Sequence, residues 1–490
     1  MKSIILAAGL GSRLRPITNN RPKSLVKVNG TPILEKQIDC LDRDEIDEIV
    51  VVTGYMHNKI EKFVDKKESN TRITLVRNDN YSNTDNLYSF LLTEDICHNE
   101  DFILMNGDIF VEEEIFDKVI QNDRSCIACD FKNYDEEAMK VVGDRNNLTG
   151  ISKDISEEEC LATSIDVYKF SQEDSIKLYD IATRIFDSSK SQWTEIAINK
   201  LLNYEELIEA CDIGSEPWAE IDNTEDLLNA EKIFSKINPN EYDRFILDLD
   251  GTVYLDDEEI EGSTDAIEHF RDEGIEIKFM SNNSSNTNTA YQKKLEKIGI
   301  QVSESDIIIS TDMVISYLKE TDTDKAFLLG TEEMRNKFEK EGIIHDDNGD
   351  TVVVAFDKDL AYDKVKTACL NIQNGADFLL AHKDLRCPTS KGFIPDAGAI
   401  GKLISSTVKD SPIKVFGKPT DEMVKFLNSE KKTLVIGDRL STDIKLGEKM
   451  NADTLLVLSG DATRAEVEEN QIKLDQILRR LGELQDFKNF

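Results

Sequence analysis

Two apolar strands constrain this chain most: SIILAA at residues 3–8 and RFILDLDGT from Arg244. Each runs into a polar, glycine-containing turn and opens its own series of short apolar runs and charged, helix-periodic segments. A strand that feeds a helix and then a second strand must cross over its own sheet. This rhythm predicts a mostly parallel sheet covered on both faces. The expected fold class is therefore α/β, with two doubly wound domains, and 490 residues suffice for two separate cores. In the first series, strands are expected at about 2–8, 48–53, 72–77, 101–106, 125–130 and 161–168, with helices at about 32–42, 56–65, 84–93, 171–186 and 193–202. In the second, strands are expected at about 244–249, 275–280, 432–436 and 453–457, interrupted by an extra α/β block at about 322–395. The helix-periodic TEDLLNAEKIFSKI runs into NPNEY, where Asn-Pro signals a turn. Expected domains are 1–237 and 242–490, joined by a linker at 238–241.

Charge narrows the partners. A net charge of −37 argues against nucleic acid and anionic membranes, because phosphate binding needs positive faces. No run of about 18 apolar residues occurs, so no membrane-spanning helix is expected. The N-terminal apolar run is cut short by glycines and arginines and reads as a strand rather than a signal peptide, which predicts a cytoplasmic protein. Cys126 and Cys129 form the sole CxxC, in SCIACDF. That segment alternates like a buried strand, and no second pair or histidine cluster completes a zinc site, so the thiols read as core residues.

The first strand leads into Leu6-Ala7-Ala8-Gly9-Leu10-Gly11-Ser12-Arg13-Leu14-Arg15-Pro16. Small residues here let the backbone approach a triphosphate, and its amides can face phosphate oxygens. Arg13 adds a fork of donors, and Lys23, in RPKSLVKVNGTPIL, adds a point charge for phosphates. Asp108 ends the strand DFILMNGD, and Asp222 lies in WAEIDNTEDL just before a helix. Each aspartate alone reads equally well as a helix cap. Together, at strand ends, they can hold one magnesium ion against phosphates. In order, LAAGLGSRL, RPKSLVKVNGTPIL, VVVTGY, NGD and EIDNTEDLLNAE resemble the nucleoside-diphosphate-sugar pyrophosphorylase family over residues 1–237. The resemblance implies attack of a substrate phosphate on the α-phosphorus of a nucleoside triphosphate, with release of pyrophosphate. Leu6, Ala7, Ala8, Gly9, Gly11, Ser12, Arg13, Asn78 and Asn86 would contact the nucleotide, Arg13 and Lys23 the phosphates, and Asp108 and Asp222 magnesium. RNDNYSNTDNLYSFLL and WAEIDNTEDL look like the branch of phosphocholine and other small-alcohol-phosphate cytidylyltransferases, which implies CTP. Tyr88 is a further contact candidate. A quaternary ammonium would need an aromatic cage, for which Tyr81, Tyr88, Phe90, Trp193 and Trp218 are available, although core packing accounts for them better.

The second strand delivers Asp248 and Asp250, two residues apart and so on one face. One carboxylate can attack phosphorus while the other protonates the leaving oxygen and then activates water. Ser281 and Asn282 in FMSNNSS can bind the phosphoryl group, and Lys418 in VFGKPTDEM can steady the charges. LVIGDRLSTDI places Asp438 at a strand end, with Asp443 one turn on. Asp248, Asp250 and Asp438 form the expected magnesium set. DxDGT, SNNSS, GKP and GDRxxTD in this order resemble the haloacid dehalogenase superfamily over about 242–484, and within it the capped nitrophenylphosphatase and phosphoglycolate phosphatase-like branch. AHKDLRCPTSKGFIPDAGAI matches the end of that cap, with departures at Ala381-His382-Lys383-Asp384 and at Ser441, where an acid is frequent. His382, Lys383 and Arg386 are expected either to tune substrate choice or to form a solvated loop.

The combined expectation is a bifunctional enzyme. One half transfers a nucleotidyl group, with CTP preferred, to a small phosphorylated alcohol, polyol or sugar. The other hydrolyses a phosphate monoester through an aspartyl phosphate. Alternatives are a UTP- or dTTP-dependent sugar-1-phosphate transferase, or one domain kept only as a regulatory or scaffolding module. An oligomer is compatible with the sequence.

Overall fold

A computed structural model describes residues 1–204, 207–389, 392–427, 430–469 and 474–486. They form two compact units, Met1–Phe234 and Ser235–Phe490. Asn238 caps a short helical turn, Pro239–Glu241, at the start of the second unit.

The first unit is built on nine strands: β1 (Lys2–Ala7), β2 (Glu48–Thr53), β3 (Arg72–Arg77), β4 (Phe102–Asn106), β5 (Cys126–Asp130), β6 (Lys140–Asp144), β7 (Asn147–Ser152), β8 (Ala162–Phe170) and β9 (Glu209–Asp212). Their order is β7-β6-β8-β4-β1-β2-β3, with β5 paired to β8 and β9 to β5. Only β4-β1-β2-β3 and the β5–β9 pair are parallel; β8 runs antiparallel to β4, β5 and β6, and β6–β7 is a hairpin. The mostly parallel sheet expected here is therefore corrected to a mixed one. The reason is local: between β5 and β8 the chain makes a hairpin rather than a crossover helix, so direction reverses.

Alternation along β1 fixes the layers. Ile4 and Leu6 face the core beneath helices Gln172–Ser188 and Thr194–Leu201, while Ile5 and Ala7 face the core beneath Ile33–Leu41 and Glu113–Gln121. Cys126 and Cys129, three apart on β5, fall on opposite faces of the sheet, both buried. All eight cysteines are free, and those two serve as core packing, as their alternation predicts.

The second unit holds two parallel sheets. Its core sheet is ordered β12-β11-β10-β18-β19-β20, from β10 (Arg244–Asp248), β11 (Glu276–Ser281), β12 (Ile307–Ile309), β18 (Thr433–Gly437), β19 (Asp453–Val457) and β20 (Gln476–Leu478). The inserted block forms a second sheet, β14-β13-β15-β16-β17, from β13 (Lys325–Leu329), β14 (Ile344–His345), β15 (Thr351–Val354), β16 (Asp377–Leu380) and β17 (Lys414–Val415); it runs past the expected end at 395, because helix Ala397–Val408 packs on it and β17 pairs with β16. A two-stranded hairpin, Arg386–Thr389 with Gly392–Pro395, follows β16; Ser390 and Lys391 lie outside the described residues. Ile246 of β10 joins one apolar layer while its neighbours Phe245 and Leu247 join the other. No described helix is long and apolar enough to cross a membrane.

Candidate active sites

In the first unit, Lys23 links elements distant in sequence. It donates from Nζ to Asp108 Oδ2 at 2.6 Å and to Asp222 Oδ1 at 2.5 Å. Asp108 follows β4. Asp222 is set by the helix behind it: Asn223 caps Thr224–Ile233, and the Asp226 carboxylate of that capping box accepts from the Asp222 backbone N–H at 2.8 Å. Arg13 Nη2 donates to the second Asp222 oxygen at 2.7 Å. Gly11 is required where it stands. Its φ is +60°, and a Cβ would lie 3.0 Å from Lys23 Cβ.

Burial works against the charge on Lys23, but Asp108 and Asp222 outweigh it and raise its pKa. Burial likewise opposes the charge on Asp222, but Lys23 and then Arg13 hold its pKa below the usual value. Glu220 completes a carboxylate trio with Asp108 and Asp222, their ligand atoms all within 4.8 Å of one another. Burial, then repulsion from Asp108, Asp166 and Asp222, pushes Glu220 up to about 9. Asp108 Oδ1 is buried and accepts no hydrogen bond from any described residue. Three carboxylates and an orphaned oxygen fit a divalent cation. Sequence reasoning missed Glu220, although its spacing of two from Asp222 at a strand end was a usable signal. It also missed Asp166 and Glu195. Both are buried; desolvation and then repulsion from Asp108 raise Asp166 to about 6, and desolvation and then repulsion from Asp166 raise Glu195 to about 7.

A cavity of about 490 Å³ opens beside this cluster. Of the expected nucleotide contacts, Leu6, Ala8, Gly9, Asn78 and Asn86 line it; Ala7, Gly11, Ser12 and Arg13 do not. Ala7 packs into the core instead, because alternation turns it inward. Ser12 and Arg13 belong to a short helical turn, Ser12–Leu14. Asn78 is less free than expected: its amide donates to Ser89 Oγ at 3.0 Å, and its carbonyl oxygen accepts from Asn80 N. The aromatic cage does not assemble. Phe90 is stacked on Tyr179 in the core, Tyr88 is stacked on Phe186, Trp218 donates to Asp130, and Tyr81 alone of the five lines the cavity.

In the second unit, Lys418 is buried and plays the matching part. Its Nζ contacts Asp248 Oδ1 and donates to Asp443 Oδ1 at 2.6 Å. Burial opposes its charge, but Asp248 and Asp443 more than compensate and raise its pKa. Asp443 reaches back because the chain makes a wide π-helical turn, Leu440–Ile444, after β18. Asp248, Asp438 and Asp443 present ligand atoms within 4.8 Å of one another. The carboxylate trio thus contains Asp443 where the sequence reading has Asp250, whose nearest cation is Lys294 Nζ at 3.9 Å. Burial, then repulsion from Asp248 and Asp443, raises Asp438 well above its usual value, and its Oδ1 is buried without a hydrogen-bond partner among the described residues. A crowded, under-neutralised set with an orphaned oxygen fits magnesium. Gly251, at φ +90°, is obligatory: a Cβ would meet Asp438 Oδ2 at 2.4 Å.

Asp248, Asp250, Ser281, Asn282 and Lys418 line one small cavity, joined by Cys387, Asp396 and Arg439, which the sequence reading passed over. Burial raises the Asp250 pKa despite nearby Lys294, Arg439 and Lys418. The Asn282 side chain is committed to protein: its amide donates to Asp384 Oδ2 at 3.0 Å, and its oxygen accepts from Lys418 N at 2.7 Å. It shapes the Lys418 loop rather than standing free for phosphate. His382 is not in a solvated loop. It is wholly buried, with Nε2 3.1 Å from Ser284 Oγ. Lys383 is exposed, and Arg386 is exposed and lies over the Phe393 ring.

Residues 245–344 match the family described as haloacid dehalogenase-like hydrolase, and 415–484 match one described as HAD-hydrolase-like. Residues 28–233 match a family described as a domain of unknown function. The 5'-nucleotidase YutF of Bacillus subtilis is 29% identical over 249 residues, 49% of this chain and 97% of that protein. The acid sugar phosphatase of Staphylococcus saprophyticus is 28% identical over 251 residues, 50% of this chain and 96% of that protein. A solved 4-nitrophenylphosphatase from Thermotoga maritima is 34% identical, covers 51% of this chain and 98% of its own, and superposes with a TM-score of 0.49.

Proposed function

The C-terminal half belongs to the haloacid dehalogenase-like hydrolases and is a phosphatase, and from that premise we propose how its residues divide the work and what the N-terminal half adds. The supporting observation is the convergence of Asp248, Asp250, Ser281 and Lys418 on one cavity. An Asp248 carboxylate oxygen attacks phosphorus; the P–O bond to the alcohol breaks, and the departing oxygen takes the proton from Asp250. Asp250 suits this role because burial favours its protonated form. It then takes a proton from water, whose oxygen attacks phosphorus, freeing inorganic phosphate and restoring Asp248. Lys418 contacts Asp248 and holds it aimed, and the Ser281 hydroxyl donates to the phosphoryl group. Magnesium, when bound, neutralises phosphate charge, and Asp248 and Asp438 would hold it, with Asp443 closing the set. The substrate is a phosphate monoester of a small alcohol, polyol or sugar. Rapid quench of labelled substrate should place the label on Asp248; label on any other residue overturns the assignment.

The N-terminal half is read as a nucleotidyltransferase. The supporting observation is Lys23 clamped between Asp108 and Asp222 beside the cavity lined by the Gly9 turn. Lys23 and Arg13 stabilise charge on the α-phosphate and the incoming phosphate, and Asp108, Glu220 and Asp222 would hold magnesium. The acceptor is a small phosphorylated alcohol, and CTP is the donor. Pyrophosphate release measured with CTP, UTP, dTTP, ATP and GTP against phospho-alcohols tests this. Preference for UTP or dTTP with a sugar 1-phosphate would replace the cytidylyl assignment, and silence with all of them would end the transferase reading.

A further inference from the structure

The hydrolysis assigned above uses Asp248, Asp250, Ser281 and Lys418, and leaves Asp396 on the wall of the same cavity without a part. Asp396 is 5% exposed and caps helix Ala397–Val408, directly after the hairpin of the inserted block. Its two oxygens are in different situations. Oδ1 accepts from Ala397 N at 2.7 Å and lies 3.4 Å from His382 Nε2. Oδ2 receives no hydrogen bond from any described residue. Capping accounts for Oδ1 alone, and serine or asparagine would cap as well. On a residue this buried, an oxygen that faces the cavity without a protein donor has little water around it, and a donor carried by a bound molecule would satisfy it.

The rest of the cavity says where that donor comes from. Asp248 and Ser281 sit at core strand ends, Lys418 is ion-paired to Asp248, and the three define the phosphoryl end. Asp396 belongs to the inserted block, so it meets the part of the substrate that extends beyond the phosphoryl group. Its aim is fixed from behind by His382, itself wholly buried against Ser284. The nearby cation Arg439 is already shared, lying 3.8 Å from Asp461 and 3.9 Å from Asp384. Resting on the phosphatase reading, we propose that Asp396 is a specificity residue whose Oδ2 accepts a hydrogen bond from a hydroxyl or ammonium group on the alcohol. It thereby selects polyol or amino-alcohol phosphates over esters whose alcohol carries a carboxylate.

The test compares glycerol 3-phosphate, p-nitrophenyl phosphate and phosphoglycolate on the full chain and on Asp396→Asn and Asp396→Ser. Both substitutions keep a capping oxygen, and asparagine turns an acceptor into a donor. Expected is a loss of at least about tenfold in kcat/KM on glycerol 3-phosphate, mostly in KM. Nitrophenyl phosphate, whose leaving group has no donor, should stay within about threefold, and the ratio of phosphoglycolate to glycerol 3-phosphate turnover should rise in Asp396→Asn. Equal losses on all three esters would reduce Asp396 to a structural cap and overturn the proposal, as would no change on glycerol 3-phosphate. A native chain inactive on nitrophenyl phosphate as well would instead sink the phosphatase mechanism on which the proposal rests.

Discussion

Lys23 stands between two carboxylates that would otherwise face each other across a few ångströms, so its removal takes away the ion pair to Asp108, leaves Asp222 with Arg13, and on the proposed reading also strips a cation from the phosphates. Lys23→Ala should slow pyrophosphate release by about two to three orders of magnitude, the scale for losing a preorganised charge donor; an unchanged rate would show that the site is elsewhere. Behind this cluster, Glu195 is raised from 4.5 to about 7 by burial and then by Asp166. A buried acid of this kind binds its proton more tightly folded than unfolded. Stability is therefore highest below about pH 4.5 for this group and falls as pH rises toward 7. The cost reaches about 2–3 kcal/mol by neutral pH in metal-free buffer. Both tryptophans, Trp193 and Trp218, lie in the N-terminal unit, so tryptophan fluorescence melts report on that unit alone. The native transition should drop between pH 5 and 8, and Glu195→Gln should flatten that slope; parallel slopes would remove the assignment. Among single residues, aspartates at strand ends were legible because motif order and strand period both point to them. Glu195, Asp166 and His382 were not, because their roles depend on burial that no local pattern announces.

The elements were legible wherever an apolar run was bounded by turn residues. Strands β1, β2, β3, β10 and β18 all begin and end within two residues of the expected limits. The hairpin β6–β7 escaped because its turn, GDRNN, and its polar, glycine-containing flanks dilute the alternation; its apolar buried side chains are few, Val141, Leu148 and Ile151. Missing it is what made the first sheet look parallel. Asp443 escaped as a member of the carboxylate trio because a π-helical turn, not a regular helix, carries it back to Lys418. The loop after β10 offers a sharp test of element geometry. Gly251→Ala would force a Cβ into Asp438 at a φ that disfavours side chains. Phosphate release should fall about a hundredfold, as expected when a site is displaced by about an ångström, while the thermal transition moves by no more than a few degrees. A variant with full activity would show that Asp438 has room to retreat and that the trio is not held rigidly.

At the scale of the whole molecule, each unit has its own complete set of parts. The described residues of 1–234 hold three apolar clusters and the Lys23 site, and those of 235–490 hold four clusters and the Lys418 site. A self-sufficient core is what allows a domain to fold alone. Cleavage near Asn238 should therefore give two soluble fragments, one releasing pyrophosphate and the other phosphate. The same reasoning predicts independence of chemistry. Asp248→Asn should abolish phosphate release, since an amide is a poor nucleophile and a weaker metal ligand. It should leave pyrophosphate release unchanged, because every residue assigned to that reaction precedes 238. On the proposed transferase reading, a phosphatase that consumed the transferase's own acceptor would defeat it, so the two reactions are expected to take different esters. The decisive measurement follows both products from one chain. With the acceptor supplied, Asp248→Asn should raise no additional nucleotidyl product beyond the native yield. A higher yield would mean that the native phosphatase had been destroying that acceptor, and the two halves would then oppose rather than serve each other.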